Sequence, residues 1–86
     1  MKKKYYAIYD KVAKRYLNIF TDINNDTAAR GFHNLEKDKS TMIGQNPEDY
    51  RLYKIAEWDE TTGIFSENEP EKVCDGGMNE DTGHAR

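Results

Sequence analysis

The chain has 86 residues, enough for one small domain with a thin core, since only 36% of residues are hydrophobic and 34% are charged. The net charge of −3 is unevenly spread: residues 1–66 carry eleven Lys/Arg and ten Asp/Glu, giving +1, and residues 67–86 carry two and six, giving −4. The single cysteine, Cys74, excludes an intramolecular disulfide and a cysteine-held zinc ion, and no apolar run has the length of a secretion signal or a membrane span. A reducing cytoplasm is the expected setting.

Lys4 to Asp10 reads as a first strand, because Tyr5, Tyr6, Ile8 and Tyr9 favour the pleated state. Strict alternation puts Tyr6 and Ile8 on one face and Tyr5, Ala7 and Tyr9 on the other. A short polar loop leads to a second strand, Tyr16 to Thr21. Leu17 and Ile19 are expected on one face of it, and Tyr16, Asn18 and Phe20 on the opposite face. A helix follows, capped by Asn24, Asn25 or Asp26 and running to about Asp38. Ala28, Phe32 and Leu35 form its buried stripe at i, i+4 and i+7. Gly31 weakens this helix by roughly 1 kcal/mol and is expected to allow close packing on the sheet.

Lys39 to Asp49 reads as a loop, with Met42 and Ile43 tucked inward and a turn at Asn46-Pro47. The third strand is Tyr50 to Trp58. Tyr53, Ile55 and Glu57 are expected on one of its faces, and Leu52, Lys54, Ala56 and Trp58 on the other. A turn ending at Gly63 leads into a fourth strand at Ile64 and Phe65. The two hairpins echo each other, from Tyr9-Asp10 to Ile19-Phe20 and from Trp58-Asp59 to Ile64-Phe65. From Glu67 onward the chain is acidic, with Pro70, Gly76, Gly77 and Gly83 and little apolar matter.

The expected architecture is therefore α+β. A small, mostly antiparallel sheet in β-β-α-β-β order carries one helix over residues 1–66, followed by a disordered acidic tail over 67–86. Val73 and Met78 are too isolated in that tail to build a core. One helix covers one face of a sheet that has apolar side chains on both. The other face needs a second copy of the chain, stacked bases, or both.

The first twenty residues hold six of the thirteen basic side chains and one acidic one, interleaved with Tyr5, Tyr6, Tyr9, Tyr16 and Phe20. Cations hold phosphate and rings stack on unpaired bases, so this composition points to single-stranded nucleic acid. Lys2, Lys3, Lys4, Lys11, Lys14 and Arg15 are the phosphate candidates, with Tyr5, Tyr9 and Tyr16 for stacking. Arg30, Arg51 and Lys54 are weaker candidates. The plainer alternative is that the lysines shield an edge strand and the tyrosines fill the core.

Other motifs carry less. Asp22-x-Asn24-x-Asp26 begins like a calcium loop but has Thr27 where glycine belongs and His33 where glutamate belongs. Asn25-Asp26-Thr27 matches a glycosylation sequon and equally a helix cap. His33 and His84 have no partner at ligand spacing, so no metal and no cofactor is implied. No catalytic motif occurs, and the chain is expected not to be an enzyme. The acidic end reads either as a solubilising tail or as a competitor for the basic edge.

Four stretches share an order and spacing. They are Tyr6-Ala7-Ile8-Tyr9-Asp10-Lys11; Asn25-Asp26 with Ala29, Arg30 and Phe32; Asn46-Pro47-Glu48-Asp49-Tyr50; and Leu52-Tyr53-Lys54-Ile55 leading to Trp58-Asp59 and Thr62-Gly63. Together, over residues 4 to 65, they resemble the small non-structural protein of gokushovirus-like microviruses, the Microviridae, which are phages with circular single-stranded DNA genomes. The resemblance implies a non-enzymatic DNA-binding protein of the infected bacterium's cytoplasm, absent from the virion. It would act in single-stranded DNA synthesis or packaging. It carries no binding residues across. The combined expectation is a homodimer that binds single-stranded DNA with little sequence preference. The rival is a protein-interaction factor that docks its aromatic face on a host or phage assembly protein.

Overall fold

The computed structural model describes residues 2–66 and 69–77. Its elements are β1 (Lys2–Asp10), β2 (Arg15–Asp22), α1 (Asn25–Lys37), α2 (Met42–Gln45), β3 (Tyr50–Asp59), β4 (Ile64–Phe65) and β5 (Glu71–Asp75), with a 3-10 turn at Pro47–Asp49. The fold is α+β. β1 lies between β2 and β3, and all neighbours are antiparallel. The far edge of β3 is shared: β4 pairs with Trp58 and Asp59, and β5 pairs along Arg51 to Lys54.

The helix forms where the sequence marks it. Asn24 is the cap: its side chain accepts from the Thr27 amide at 2.9 Å, while the Thr27 hydroxyl accepts from the Asn24 amide at 3.3 Å, a reciprocal capping box. The Thr27 hydroxyl in turn donates to Asp22 Oδ1 at 2.5 Å, tying the helix start to the end of β2. The bond from Thr27, with a second from the Ile23 amide at 2.8 Å, holds the Asp22 carboxyl below its ordinary pKa. Asp22 and Asn24, the start of the calcium-like motif, are thus engaged in a helix entry. Ala28 and Phe32 are buried, and Leu35 packs beside them.

One face of the sheet meets α1. Tyr6, Ile8, Phe32 and Leu52 are fully buried there, with Ala28, Ile43 and Tyr50 completing the core. Each such side chain contributes about 1.5–3 kcal/mol by leaving water. The Tyr6 hydroxyl donates to Asn25 Oδ1 at 2.8 Å, so the ring is buried without an unmet polar group.

Several details differ from the sequence expectation. Residues 39–49 are not plain loop but hold α2 and the 3-10 turn. Ile43 is buried, whereas Met42 points to solvent. Gly31 has open space around it, so it serves no close approach. Two bulges reset the strand faces. In β2, Asn18 takes a left-handed φ of 54°, and two residues stand opposite Ala7. Phe20 thereby joins Leu17 on the core side, and Ile19 turns outward. In β3 the register skips Ile55. Ala56 and Trp58 therefore share a face with Tyr53, and Glu57 shares one with Lys54.

The expected tail is corrected as well. Within residues 67–86, Glu71–Asp75 form β5, and Val73 and Cys74 pack against the core. The buried Glu36 carboxylate anchors this segment. Its Oε2 accepts from the Gly77 amide at 2.8 Å, and its Oε1 lies 3.0 Å from His33 Nδ1. Gly76 donates to the Tyr50 carbonyl at 2.8 Å, and a Cβ at Gly76 would overlap the Pro47 carbonyl oxygen. Burial, with the charges of Glu36 and Asp75, pushes the Cys74 thiol up to about 11. Met78 and His84 lie outside the described residues.

Candidate functional site

The face of the sheet turned away from α1 carries two aromatic clusters. β1 alternates without interruption, so Lys3, Tyr5, Ala7 and Tyr9 all point to this side. At the hairpin end, Tyr9, Tyr16 and Tyr53 meet from three strands. The ring centroids are 4.9 Å apart for Tyr9 and Tyr16, 5.6 Å for Tyr16 and Tyr53, and 6.1 Å for Tyr9 and Tyr53. At the other end, Phe65 lies 5.5 Å from Tyr5 and 6.1 Å from Trp58. Ala7 lies between the clusters and is only 1% exposed, so it forms a floor rather than part of the open surface. Tyr16 and Phe65 are the most open rings, 46% and 52% exposed. Desolvation, followed by the effect of Tyr53 and Tyr9, raises the Tyr16 phenol above its ordinary value, so the cluster presents a neutral ring there at physiological pH.

The N-terminal cations do not form one rim. β1 rises about 3.3 Å per residue, so Lys3 and Lys11 are separated by about 26 Å. Lys3 flanks the Tyr5 cluster and pairs with Glu60 at 3.5 Å. Lys2 and Lys4 alternate to the helix side, where Lys4 Nζ donates to the Ile23 carbonyl at 3.3 Å. Lys11 and Lys14 sit in the β1–β2 turn at the tyrosine end, whereas Arg15, paired with Asp10, alternates with Tyr16 to the helix side. The expected stacking residues Tyr5, Tyr9 and Tyr16 are thus on the open face, and the expected phosphate residues are divided between its two ends and the other side.

The weaker candidates divide too. Arg30 is exposed on α1, on the helix side of the sheet. Lys54 is also on that side, 3.0 Å from Glu57 and 3.7 Å from Glu71, and its hydrogen bond to Glu57 raises its pKa. Arg51 is on the open face, opposite Tyr9. Its Nε lies 3.2 Å from Asp75 Oδ1, and Asp75 Oδ2 lies 3.0 Å from Lys72 Nζ. Partly exposed pairs of this kind are worth about 0–1 kcal/mol each. Lys72 stands opposite Tyr53.

Sequence reasoning missed four members of this face: Tyr53, Trp58, Phe65 and Lys72. Tyr53 and Trp58 were split between faces by strict alternation, which the bulge at Ile55 breaks. Lys72 falls within the acidic stretch expected as tail, although the neighbouring Val73-Cys74 pair is a signal for a short strand.

The two hairpins explain one unusual cation. Asp10 Oδ1 accepts from the amides of Val12 at 2.9 Å and Ala13 at 3.1 Å, and the Asp10 carbonyl accepts from Lys14 at 2.7 Å. The second hairpin repeats this: Asp59 Oδ1 accepts from Thr61 at 2.9 Å, and its carbonyl accepts from Gly63 at 2.7 Å. The fourth residue after each aspartate is left-handed, with φ 77° at Gly63 and φ 61° at Lys14. Glycine adopts this freely, whereas lysine pays about 1–2 kcal/mol. A cation therefore stands at the hairpin tip against the preference of the backbone.

The fold and this face define a class: a small α+β sheet protein with one side closed by a helix and the other left open as a double aromatic platform. The chain belongs to the phage ORF5 protein family, whose model matches residues 3–78, and it is thus a bacteriophage protein. No curated protein and no solved structure matches it. Among the described residues, no helix is long and apolar enough to cross a membrane.

Proposed function

We propose that the protein binds single-stranded DNA, with little sequence preference and without catalysis, through the face that carries the two aromatic clusters. The observation that carries the reading is the joining of rings from four strands into one open surface with cations at both ends. Such a surface suits bases on the rings and phosphates on the cations. Lys11 and Lys14 serve the tyrosine cluster, Lys3 serves the Tyr5 cluster, and Arg51 lies opposite Tyr9; Arg15, on the helix side, is left out of the site. The phage family is consistent with a role in replication or packaging of a Microviridae-type single-stranded genome in the host cytoplasm. A homodimer would add avidity to a face with few cations per protomer.

A titration with oligothymidylate at several salt concentrations tests this, read by Trp58 and tyrosine fluorescence. The expected result is quenching, with log K falling by about 0.7 per phosphate neutralised as log salt rises. A folded sample that ignores the oligonucleotide at low ionic strength overturns the reading.

One observation favours a second reading. Ile19, 64% exposed, turns outward on the face that carries the rings, whereas Ile64, 66% exposed, alternates with Phe65 to the other side, and aliphatic side chains offer no stacking to bases. A host or phage protein, or a second copy of the chain, would cover them. Binding insensitive to salt, and made by a protein rather than an oligonucleotide, is the result that selects this alternative.

A further inference from the structure

Asp75 bridges two cations at the border of the tyrosine cluster. Oδ1 approaches Arg51 Nε at 3.2 Å and Oδ2 approaches Lys72 Nζ at 3.0 Å. Both cations therefore converge on one anionic group. A phosphodiester presents the same kind of charged acceptor oxygens as a carboxylate, and arginine suits it well. The present arrangement also leaves a donor unmet. Arg51 Nε is shut from solvent yet is not aimed at Asp75 well enough to form a hydrogen bond. The neighbouring Tyr53 side chain favours the charged guanidinium. Cross-strand pairing sets Arg51 opposite Tyr9 and Lys72 opposite Tyr53, so an anion between the two cations would adjoin two rings of the cluster.

We infer that Arg51 and Lys72 form a phosphate clamp at the edge of the Tyr9–Tyr16–Tyr53 cluster, occupied in the free protein by Asp75 and taken over by a backbone phosphate of bound single-stranded DNA. This inference rests on the DNA-binding reading above. It gives β5 a regulatory part in that site, because the strand supplies both half of the clamp and the acid that competes for it. Arg51, Lys72 and Asp75 are all partly exposed and meet at the surface, so the exchange needs no opening of the core, and Glu71, which pairs with Lys54, stays on the helix side.

The test compares Asp75→Asn with Glu71→Gln in the full chain. Both remove one negative charge from β5, but only the first frees the clamp. Asp75→Asn is expected to tighten oligothymidylate binding about three- to tenfold at low salt and to steepen the slope of log K on log salt by about 0.7. Glu71→Gln is expected to leave the slope unchanged. In an Arg51→Gln background, Asp75→Asn loses most of its effect. Equal responses to Asp75→Asn and Glu71→Gln overturn the clamp. The unmutated chain gives an independent measurement by NMR: the Arg51 Nε–H resonance shifts with the ring signals as oligothymidylate is added. Ring shifts with a stationary Arg51 signal overturn the clamp while leaving the DNA reading intact. If neither ring nor Arg51 signals respond at low salt, both fall.

Discussion

The two faces of this sheet are built from the same residue types and end in different states. On the helix side, Tyr6 is fully buried and its hydroxyl is bonded to Asn25. On the other side, Tyr16 is a strand neighbour of similar chemistry, 46% exposed and held by two other tyrosines. The difference shows that aromatic content does not determine whether a ring is core or platform. What decides is which side α1 covers and where the bulges fall. The sharpest way to break the comparison is to cut a ring from each side. Phe32→Ala on the covered side should cost about 3–5 kcal/mol, read by thermal or urea unfolding. A loss under about 1 kcal/mol would mean that α1 does not define the core.

How far this division could be read in advance differs by element. The Asn24 cap, the Ala28–Phe32–Leu35 stripe and both hairpins depend on neighbours within a few residues, so their signals are local. β1 is also legible, because it alternates without a break. The faces of β2 and β3 are not, since a bulge is one extra residue with no composition of its own. Asn18 is a partial exception, because asparagine tolerates the left-handed backbone that its bulge uses. β5 was hidden for another reason. Its place depends on Glu36, 41 residues before Gly77, and on the close approach of Gly76 to Pro47 and Tyr50. The platform is half-visible in the sequence: Tyr5, Tyr9 and Tyr16 follow from composition and alternation, whereas Tyr53, Trp58, Phe65 and Lys72 need the register.

The covered side has its own weaker margin, and the next prediction probes it. Glu36→Ala removes the acceptor for the Gly77 amide, with an expected loss of about 1–3 kcal/mol. The loss should be local to β5, because the helix stripe is untouched. Cys74 reports it. With its thiol pushed up to about 11, little thiolate exists at pH 8, and alkylation of the wild-type protein should be slow. In Glu36→Ala, alkylation should accelerate before global unfolding begins. Equal rates in the two proteins would show that Glu36 does not hold the strand.

The hairpin tips sharpen the comparison further, because they match in hydrogen bonding and differ in one residue. Lys14→Gly copies the Gly63 solution into the first hairpin. Relief of the left-handed lysine, less the entropy that glycine adds to the unfolded chain, should stabilise the protein by about 1 kcal/mol. For a domain of this size that is a rise in Tm of about 4–8 °C. The same change removes a cation from the tyrosine end, so oligonucleotide affinity should fall while stability rises. If Tm falls, the lysine is not held there at a cost to stability; if affinity rises with Tm, the lysine does not serve the oligonucleotide.

Tyr16→Ala carries the smallest expected effect on folding and the clearest contrast with Tyr6. Tyr16 is on the edge strand, with nearly half its surface in water, and its contacts are to Tyr9 and Tyr53 rather than to α1. Losing one tilted and one edge-on ring contact without opening a closed cavity should cost about 1 kcal/mol of stability. A stacked base is worth about 1–3 kcal/mol, so the same substitution should weaken oligothymidylate binding by roughly 5- to 150-fold. Unfolding and binding are measured on one preparation, and it is their ratio that matters. A large loss of stability with unchanged binding would place Tyr16 in the core and leave the open face with one cluster. A small loss of stability with a large loss of binding separates platform from core at single-residue resolution, because Tyr16 then contributes to the ligand what Tyr6 contributes to the fold.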